Sequence, residues 1–180
     1  MKGPEHIETT RLVLRKPTAA DAEAVYTRYS SDAEVTKYVG WSRHQSIEQT
    51  KAFLAFSETE WNRWPAGPYL IERPGDRNLL GGTGLAFETP TDAVTGYVLA
   101  RDAWGHGYAS EVLAAIVVVA RDLGVRRLHA LCHPNHQPSI HVLEKCGFVL
   151  EGLLGRFADF PNLGSGQLED CLRYTLLDKP

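Results

Sequence analysis

The sequence has few cysteines and no long apolar run, and both absences limit what the chain can be. Its three cysteines, Cys132, Cys146 and Cys171, are widely spaced. This odd set does not form a disulfide framework, so we expect a protein of the reducing cytoplasm. Residues 1–10 contain no apolar run typical of a signal peptide. The most apolar stretch, residues 112–120, is too short to cross a bilayer, so no membrane partner is expected.

The chain also lacks a strong charge of either sign. Its formal net charge is −3, which is too small to steer a polyanion, so nucleic acid is not expected as a partner. Hydrophobic residues make up 43% and charged residues 23%, which is typical of a globular chain. The length of 180 residues fits a single domain over residues 1–180, with a core from about residue 7 to residue 177.

A metal-site pattern is lacking as well. Cys132, His133, His136 and His141 lie close together in the sequence, but their spacing does not match a closed tetrahedral zinc site. We interpret the histidines as residues of a loop and a helix face. No metal cofactor is expected.

Hydrophobic periodicity and turn residues predict a mixed α/β chain. Predicted strands lie near residues 12–14, 69–72, 79–87, 94–100, 127–132, 148–154 and 171–177, and predicted helices begin near residues 18, 46, 107 and 139. This order predicts one mixed sheet, with a parallel pair where the third helix connects the fourth and fifth strands.

Several short signals mark the ends of these elements. Thr18 with Asp21, and Ser46 with Gln49, have the spacing of capping boxes at helix starts. Gly124 and Gly147 are placed to end the third and fourth helices. Pro74-Gly75-Asp76 predicts a turn between two strands. The glycine-rich residues 81–84 predict a strand that another backbone approaches closely, because no helical pattern follows them.

The segment GHGYAS, residues 105–110, joins a predicted strand to a predicted helix. Free amides and the helix dipole favour an anion at such a place, and glycine lets a phosphate approach the backbone. An ordinary tight turn at Gly105 explains the same spacing. A P-loop would need Lys followed by Ser or Thr after the last glycine. A dinucleotide fingerprint would need glycine at Ser110 and an acidic residue near Cys132 and His133, so both patterns fit poorly.

Residues 104–111, WGHGYASE, resemble the pyrophosphate-binding loop of the GNAT acetyltransferases, in the branch that includes the ribosomal-protein N-terminal (Rim-type) enzymes. The pattern Q/R-x-x-G-x-G/A is matched by Gly107 and Ala109, with Trp104 in place of Gln or Arg. Residues 139–148 resemble the second signature of this branch. Residues 10–15, 96–99, 160–164 and 170–174 resemble its opening strand, its pantetheine strand and its tail, so the resemblance covers nearly the whole chain.

The resemblance implies a mostly antiparallel sheet of about seven strands, splayed at its parallel pair, with about four helices. It implies acetyl-CoA as cosubstrate in the opening and transfer of the acetyl group to a primary amine, either of a small molecule or of a peptide or protein N-terminus. A homodimer is expected as a possible assembly. The residues implied in cofactor binding are Val98, Leu99, Trp104, Gly105, His106, Gly107, Tyr108, Ala109, Ser110 and His136.

For catalysis, Ser139 matches the serine usually proposed in this branch as the acid that protonates the leaving thiolate. The alternative is that Ser139 is a helix N-cap, and Tyr174 is then the next candidate acid. A backbone amide near Leu99 or Ala100 is a candidate donor to the oxyanion.

Besides Trp104, two further residues depart from the family pattern. His136 stands where members usually carry Asn, with Asn135 beside it, and Val94 stands where many carry a Glu that serves as general base. These departures leave open a catalytically silent CoA-binding module of the same fold, and a different nucleotide-binding protein is a third hypothesis. The segment from Tyr38 to His44 lies where this family builds its acceptor pocket. Other candidate bases are Glu88, Asp92, Asp159, Asp170 and a chain of water molecules.

Overall fold

The structure, a computed structural model, describes residues 2–75 and 78–177. Its strands are β1 (His6–Glu8), β2 (Val13–Arg15), β3 (Pro68–Glu72), β4 (Leu79–Thr89), β5 (Asp92–Leu99), β6 (Arg127–Cys132), β7 (Val149–Ala158) and β8 (Glu169–Leu177). Its helices are α1 (Ala22–Val25), α2 (Ile47–Arg63), α3 (Tyr108–Asp122) and α4 (Gln137–Lys145). Within the described residues, the strands form one sheet in the order β1-β2-β3-β4-β5-β6-β8-β7.

The mostly antiparallel sheet with one parallel pair confirms the expected fold class. β5 and β6 are parallel, whereas the other neighbouring strands within the described residues are antiparallel. The sheet has eight strands instead of about seven because β1 pairs with β2, with Ile7 opposite Leu14. β1 has only three residues, and Ile7 alone is partly buried, so the sequence offers no alternation that would reveal it.

The core lies between the sheet and the helices α3 and α4. Val112, Ile116 and Val119 are buried on α3 and pack with Ala130 of β6. The β-branched run in α3 is therefore helical, because its apolar positions follow the helical period and Gly124, with a φ of 79°, lies just past the end of the helix.

The predicted element boundaries agree with the structure in part. The capping box at Thr18 is confirmed, since the Thr18 N–H donates to the Asp21 carboxylate at 2.7 Å. The box at Ser46 is wrong: the Gln49 side chain instead accepts from the N–H of Gln45 at 2.6 Å. Gly147 follows α4 with a φ of 85°, as expected. In the turn between β3 and β4, Pro74 and Gly75 form a turn, and Asp76 lies outside the described residues.

The parallel pair opens partway along its length. β5 and β6 pair from Asp92 with Arg127 to Val94 with His129, although the strands continue to Leu99 and Cys132. β5 stays paired with β4 on its other side as far as Leu99. The sheet is therefore splayed between β5 and β6, as the resemblance implies.

The glycine-rich part of β4 is a strand that neighbouring backbone approaches closely, which confirms the prediction for residues 81–84. A Cβ on Gly81 would overlap the carbonyl oxygen of Val98, and a Cβ on Gly84 would lie 2.7 Å from the Cα of Pro68. These glycines let β3, β4 and β5 pack closely beside the opening.

Candidate active site

The glycine loop ends in a helix start whose amides are free to bind an anion. Gly105 and Gly107 have left-handed φ angles of 77° and 76°, and Gly107 is the N-cap of α3. The first main-chain bond of the helix runs from the N–H of Glu111 to the carbonyl oxygen of Gly107. The N–H groups of Tyr108, Ala109 and Ser110 precede that bond, and no described side chain caps them. Together with the helix dipole, they form a site suited to a phosphate group.

Trp104 connects this loop to the end of β5. Its indole N–H donates to the carbonyl oxygen of Leu99 at 2.8 Å, while the side chain is about half exposed. The residue that departs from the family pattern therefore holds the loop against the strand expected to contact pantetheine. This contact joins Leu99 to the loop of residues 105–110. The family resemblance implies a cofactor-binding role for Leu99 and for each residue of this loop.

A second contact that supports the loop comes from the N-terminal segment. The Arg11 guanidinium donates to the carbonyl oxygen of His106 at 2.9 Å and stacks over the ring of Tyr108. The Glu111 carboxylate, in turn, accepts from the Arg11 side chain at 2.7 Å and from the Thr9 hydroxyl at 2.6 Å. Arg11 and Glu111 both lie in sequence motifs, but their contact beneath the loop could not be predicted because they are 100 positions apart.

The electrostatics of Glu111 agree with this supporting role. Burial alone would raise the pKa of the Glu111 carboxyl. The hydrogen bonds from Thr9 and Arg11 outweigh the effect of burial and hold the pKa below its usual value. Glu111 therefore remains charged at neutral pH and keeps its bonds to the segment that supports the loop.

Two hydroxyl groups bridge the opening in the sheet. The Tyr97 hydroxyl on β5 lies 3.0 Å from the Ser139 hydroxyl on α4 and 3.3 Å from the Ser139 carbonyl oxygen. Burial raises the pKa of Tyr97, so its hydroxyl stays protonated. Burial likewise raises the pKa of the neighbouring Cys132 thiol to about 11. The Tyr97 hydroxyl and the Cys132 thiol are thus both protonated and neutral, and Tyr97 can donate a proton toward Ser139.

The interpretation of Ser139 as an N-cap is wrong. His136 is the N-cap of α4, and Ser139 is the third residue of the helix. The hydroxyl of the alternative acid, Tyr174, donates to the Glu144 carboxylate of α4 at 3.0 Å. The tyrosine that bonds Ser139 is Tyr97, which lies in the predicted pantetheine strand and had no role assigned to it.

A wall of aromatic rings lies next to α4. Tyr38 stacks on His133 and His136 with ring centroids 5.0 and 4.9 Å apart, and Phe160 meets His133 edge-on at 4.9 Å. Burial, and then the nearby His133, lower the pKa of His136. This wall brings the predicted acceptor segment and the tail of the chain together beside the opening.

Asn162 holds the predicted acceptor segment in place. Its amide group donates to the carbonyl oxygens of Thr36 at 2.7 Å and Trp41 at 2.9 Å. Its side-chain oxygen accepts from the N–H of Arg43 at 2.8 Å. These three bonds to backbone groups explain how the tail, which is distant in sequence, shapes the segment from Tyr38 to His44.

The candidate bases differ in their surroundings. Val94 carries no titratable group, and Glu88 and Asp159 are exposed. The carboxylate of Asp92 accepts from the hydroxyls of Thr89 and Thr91, which lower its pKa. These bonds indicate that the Asp92 carboxylate stabilises the turn between β4 and β5.

The Asp170 carboxylate lies where the pairing of β7 with β8 is irregular. It accepts from the N–H of Arg156, whose φ of 47° marks an irregular point in β7.

One of the two candidate backbone donors to the oxyanion is excluded. The Ala100 N–H is already bonded to the carbonyl oxygen of Leu80 at 2.8 Å, so Ala100 is not a free donor.

Within residues 2–75 and 78–177, no group of three or more His, Cys, Asp or Glu side chains is arranged to hold a metal ion. Over the same ranges, no helix has both the length and the apolar character needed to cross a membrane.

A splayed sheet with an uncapped helix start at its mouth defines the class of acyl-CoA-binding transferases, and comparison with known proteins agrees. Residues 11–149 match the family model described as the acetyltransferase (GNAT) domain. The uncharacterized N-acetyltransferase YoaA of Bacillus subtilis (strain 168) is 35% identical over 159 residues, which cover 84% of this chain and 86% of YoaA. The chain belongs to the GNAT acetyltransferase family and is an N-acetyltransferase.

Solved structures share the fold. One is RimL, a ribosomal alpha-N-protein acetyltransferase in complex with coenzyme A, with a TM-score of 0.83, 23% identity and coverage of 96% of this chain and 98% of RimL. Another is the microcin C7 self-immunity acetyltransferase MccE in complex with acetyl-CoA and AMP, with a TM-score of 0.84, 20% identity and 97% coverage of both chains.

Proposed function

We propose that the chain transfers the acetyl group of acetyl-CoA to a primary amine by direct attack in a ternary complex. The observation that carries this proposal is the continuous path along the opening. Among the described residues, the edge of β5 that faces β6 has no strand partner beyond Val94, and the strand leads through Trp104 to the uncapped start of α3. Main-chain groups of Val98 and Leu99 bond pantetheine, and the amides of residues 105–110 hold the pyrophosphate.

His136 contributes at the other side of the opening. Its ring stacks on Tyr38 and bounds the space where the thioester meets the acceptor. Ser139 protonates the thiolate that leaves, and Tyr97, 3.0 Å away, returns a proton to Ser139. The neutral amine adds to the thioester carbon and forms the new C–N bond, and the C–S bond breaks when the addition product collapses.

The acceptor is an amine of a peptide or protein N-terminus, or of a small molecule. Support comes from RimL, whose description names an alpha-N-protein acetyltransferase, and from the aromatic wall beside the opening. The enzyme acts in the cytoplasm as one domain and without a metal. Its free cysteines are consistent with that location.

Release of free thiol from acetyl-CoA tests the proposal, with CoA affinity measured separately by calorimetry. The acceptor panel contains a short peptide with a free N-terminal serine, the same peptide with its N-terminus blocked, a polyamine and an aminoglycoside. We expect turnover only with free amines. Tight CoA binding without turnover on any acceptor would indicate a silent module, and transfer only to hydroxyl or thiol acceptors would contradict an amine acceptor.

A further inference from the structure

His129 lies at the point where the sheet opens. It is the last residue of β6 paired with β5, opposite Val94, and on its other side it pairs with Thr175 of β8. Its neighbours Leu128 and Ala130 belong to the core under α3 and α4. Because side chains alternate along a strand, the His129 ring lies on the opposite face of the sheet.

The ring is buried but incompletely bonded. His129 is 5% exposed, and its Nδ1 has no hydrogen-bond partner within the part of the chain that the structure describes. Its Nε2 lies 3.8 Å from a carboxylate oxygen of Glu88, which is beyond hydrogen-bond length. Buried polar atoms nearly always have a partner, so the unpartnered Nδ1 is available to bond a water molecule.

Charges of both signs surround this ring. Burial lowers the pKa of His129, Glu88 and Glu151 raise it, and Arg173 and Arg127 lower it. The carboxylate of Asp92, on the neighbouring strand, also interacts with the ring. With burial dominant, the imidazole is neutral at neutral pH and has a lone pair available for a proton.

Open space lies next to Val94 on the face of the sheet that His129 shares. Gly96 is the next residue after Val94 on this face of β5, and a Cβ there would meet nothing within 4 Å. Tyr97 follows directly, and its side chain contacts Ser139 on the other face, where β5 no longer pairs with β6 within the described residues. Three residues of strand separate the last paired position from Tyr97, or about 10 Å, a distance that a short chain of water molecules spans.

We propose that His129 is the proton acceptor for the incoming amine, acting through water at a site where Val94 supplies no titratable group. The acceptor ammonium loses one proton to the water chain, and His129 takes up that proton at a ring nitrogen. The neutral amine then attacks the thioester, and the nitrogen of the addition product releases a second proton that balances the one taken up by the thiolate. His129 returns its proton to solvent. This inference rests on the proposed acetyl transfer to an amine.

The test is His129→Gln, with His141→Gln as matched control because His141 is an exposed histidine on α4. The probe is the peptide with a free N-terminal serine, with kcat measured from pH 5 to pH 9. For the wild type, we expect kcat to fall at low pH with an apparent pKa below the ordinary histidine value of 6.5, because burial lowers the pKa of His129. In His129→Gln, we expect kcat at pH 7 to fall about 100-fold. The remaining rate then rises with pH up to the pKa of the peptide amine, about 8.

The KM for acetyl-CoA stays within about twofold in His129→Gln, because general base catalysis acts on chemistry rather than on cosubstrate binding. His141→Gln matches the wild type throughout. If the wild type acetylates no amine, the proposed function fails and the inference fails with it. If the wild type is active and His129→Gln keeps its kcat and its fall at low pH, only the inference is overturned.

Glu88→Gln provides a second variant that does not disturb the buried ring, because Glu88 is exposed. Glu88 raises the pKa of His129, so its removal lowers that pKa. The fall of kcat at low pH is therefore expected to move to lower pH in Glu88→Gln, with kcat at pH 8 unchanged. A profile identical to that of the wild type would contradict the role of His129, even if His129→Gln failed to fold.

Discussion

The Arg11 guanidinium donates a 2.7 Å hydrogen bond to the Glu111 carboxylate, and this pair ties the N-terminal segment to the first turn of α3. The backbone N–H of Arg11 donates to the same carboxylate at 2.8 Å. Since Arg11 also bonds the carbonyl oxygen of His106, the loop that is proposed to hold the pyrophosphate has a fixed support beneath it. The loop is therefore held in its binding conformation by residues that need not touch the cosubstrate.

Glu111→Gln should weaken this support. The variant loses a charge that accepts bonds from Thr9 and Arg11, so we expect the free energy of unfolding to fall by about 1–3 kcal/mol. CoA affinity, measured by calorimetry, should fall as well. Glu58→Gln, on the exposed face of α2, is the control and should match the wild type.

The same pair predicts how stability depends on pH. The pKa of Glu111 is lower in the folded chain than its ordinary value of 4.5, so the carboxylate stabilises the folded state above that pH. Its contribution is lost as the pH falls through the folded pKa. Urea unfolding between pH 6 and pH 3 should therefore show a steeper loss of stability in the wild type than in Glu111→Gln. Parallel curves would show that Glu111 titrates alike in both states.

Gly107→Ala tests the pyrophosphate site. Gly107 has a φ of 76°, so a side chain there is strained, and its Cβ would lie 3.7 Å from the Arg11 guanidinium that supports the loop. Gly124 has nearly the same φ, 79°, at the other end of α3, and a Cβ there would meet nothing within 4 Å. Gly124→Ala should lose similar stability without losing CoA affinity, whereas Gly107→Ala should bind CoA at least tenfold more weakly. Equal CoA affinity in the two variants would rule out the loop as the pyrophosphate site.

Ser139→Ala tests the proposed acid. Because Ser139 is not the N-cap, its removal should leave the melting temperature close to that of the wild type. The expected result is a fall in kcat of about 100-fold with little change in CoA affinity. A kcat within twofold of wild type would exclude Ser139 as the acid.

Tyr97→Phe tests the partner of Ser139. Loss of the hydroxyl 3.0 Å from Ser139 removes the group proposed to return the proton, so kcat should fall by about tenfold or more. Tyr174→Phe removes a hydroxyl that bonds Glu144 away from the opening, and its kcat should remain that of the wild type. An equal effect of the two changes would point to general destabilisation instead of proton transfer.

Asn162→Asp tests the acceptor segment. The change keeps the oxygen that accepts from Arg43 but removes the donor bonds to Thr36 and Trp41. The KM for the amine should rise, while the KM for acetyl-CoA stays constant, since the loop of Gly107 is untouched. Asn62→Asp, on the exposed side of α2, is the control. A rise in the KM for acetyl-CoA alone would contradict the assignment of this segment to the acceptor.

The amino-acid sequence by itself was enough to predict most of the local elements and the parallel pair that the third helix connects. The loop before α3 could be found because its glycines, its helix and its preceding strand are consecutive in the chain, and so are the residues that end α3 at Gly124. The short β1 was missed because three residues with one half-buried side chain form no period. The capping box at Ser46 was wrong because the Gln49 side chain bonds Gln45 instead.

Only the tertiary structure decided which side chains meet at the opening. The Tyr97–Ser139 contact, the Arg11–Glu111 pair and the bonds of Asn162 to the segment near Trp41 join residues between 42 and 121 positions apart. Such contacts depend on strand register and helix docking, which local patterns do not determine. The same holds for His129, an ordinary strand residue in the sequence: the register of β5 and β6 places it at the last paired position, and strand alternation directs its ring away from α3 and α4.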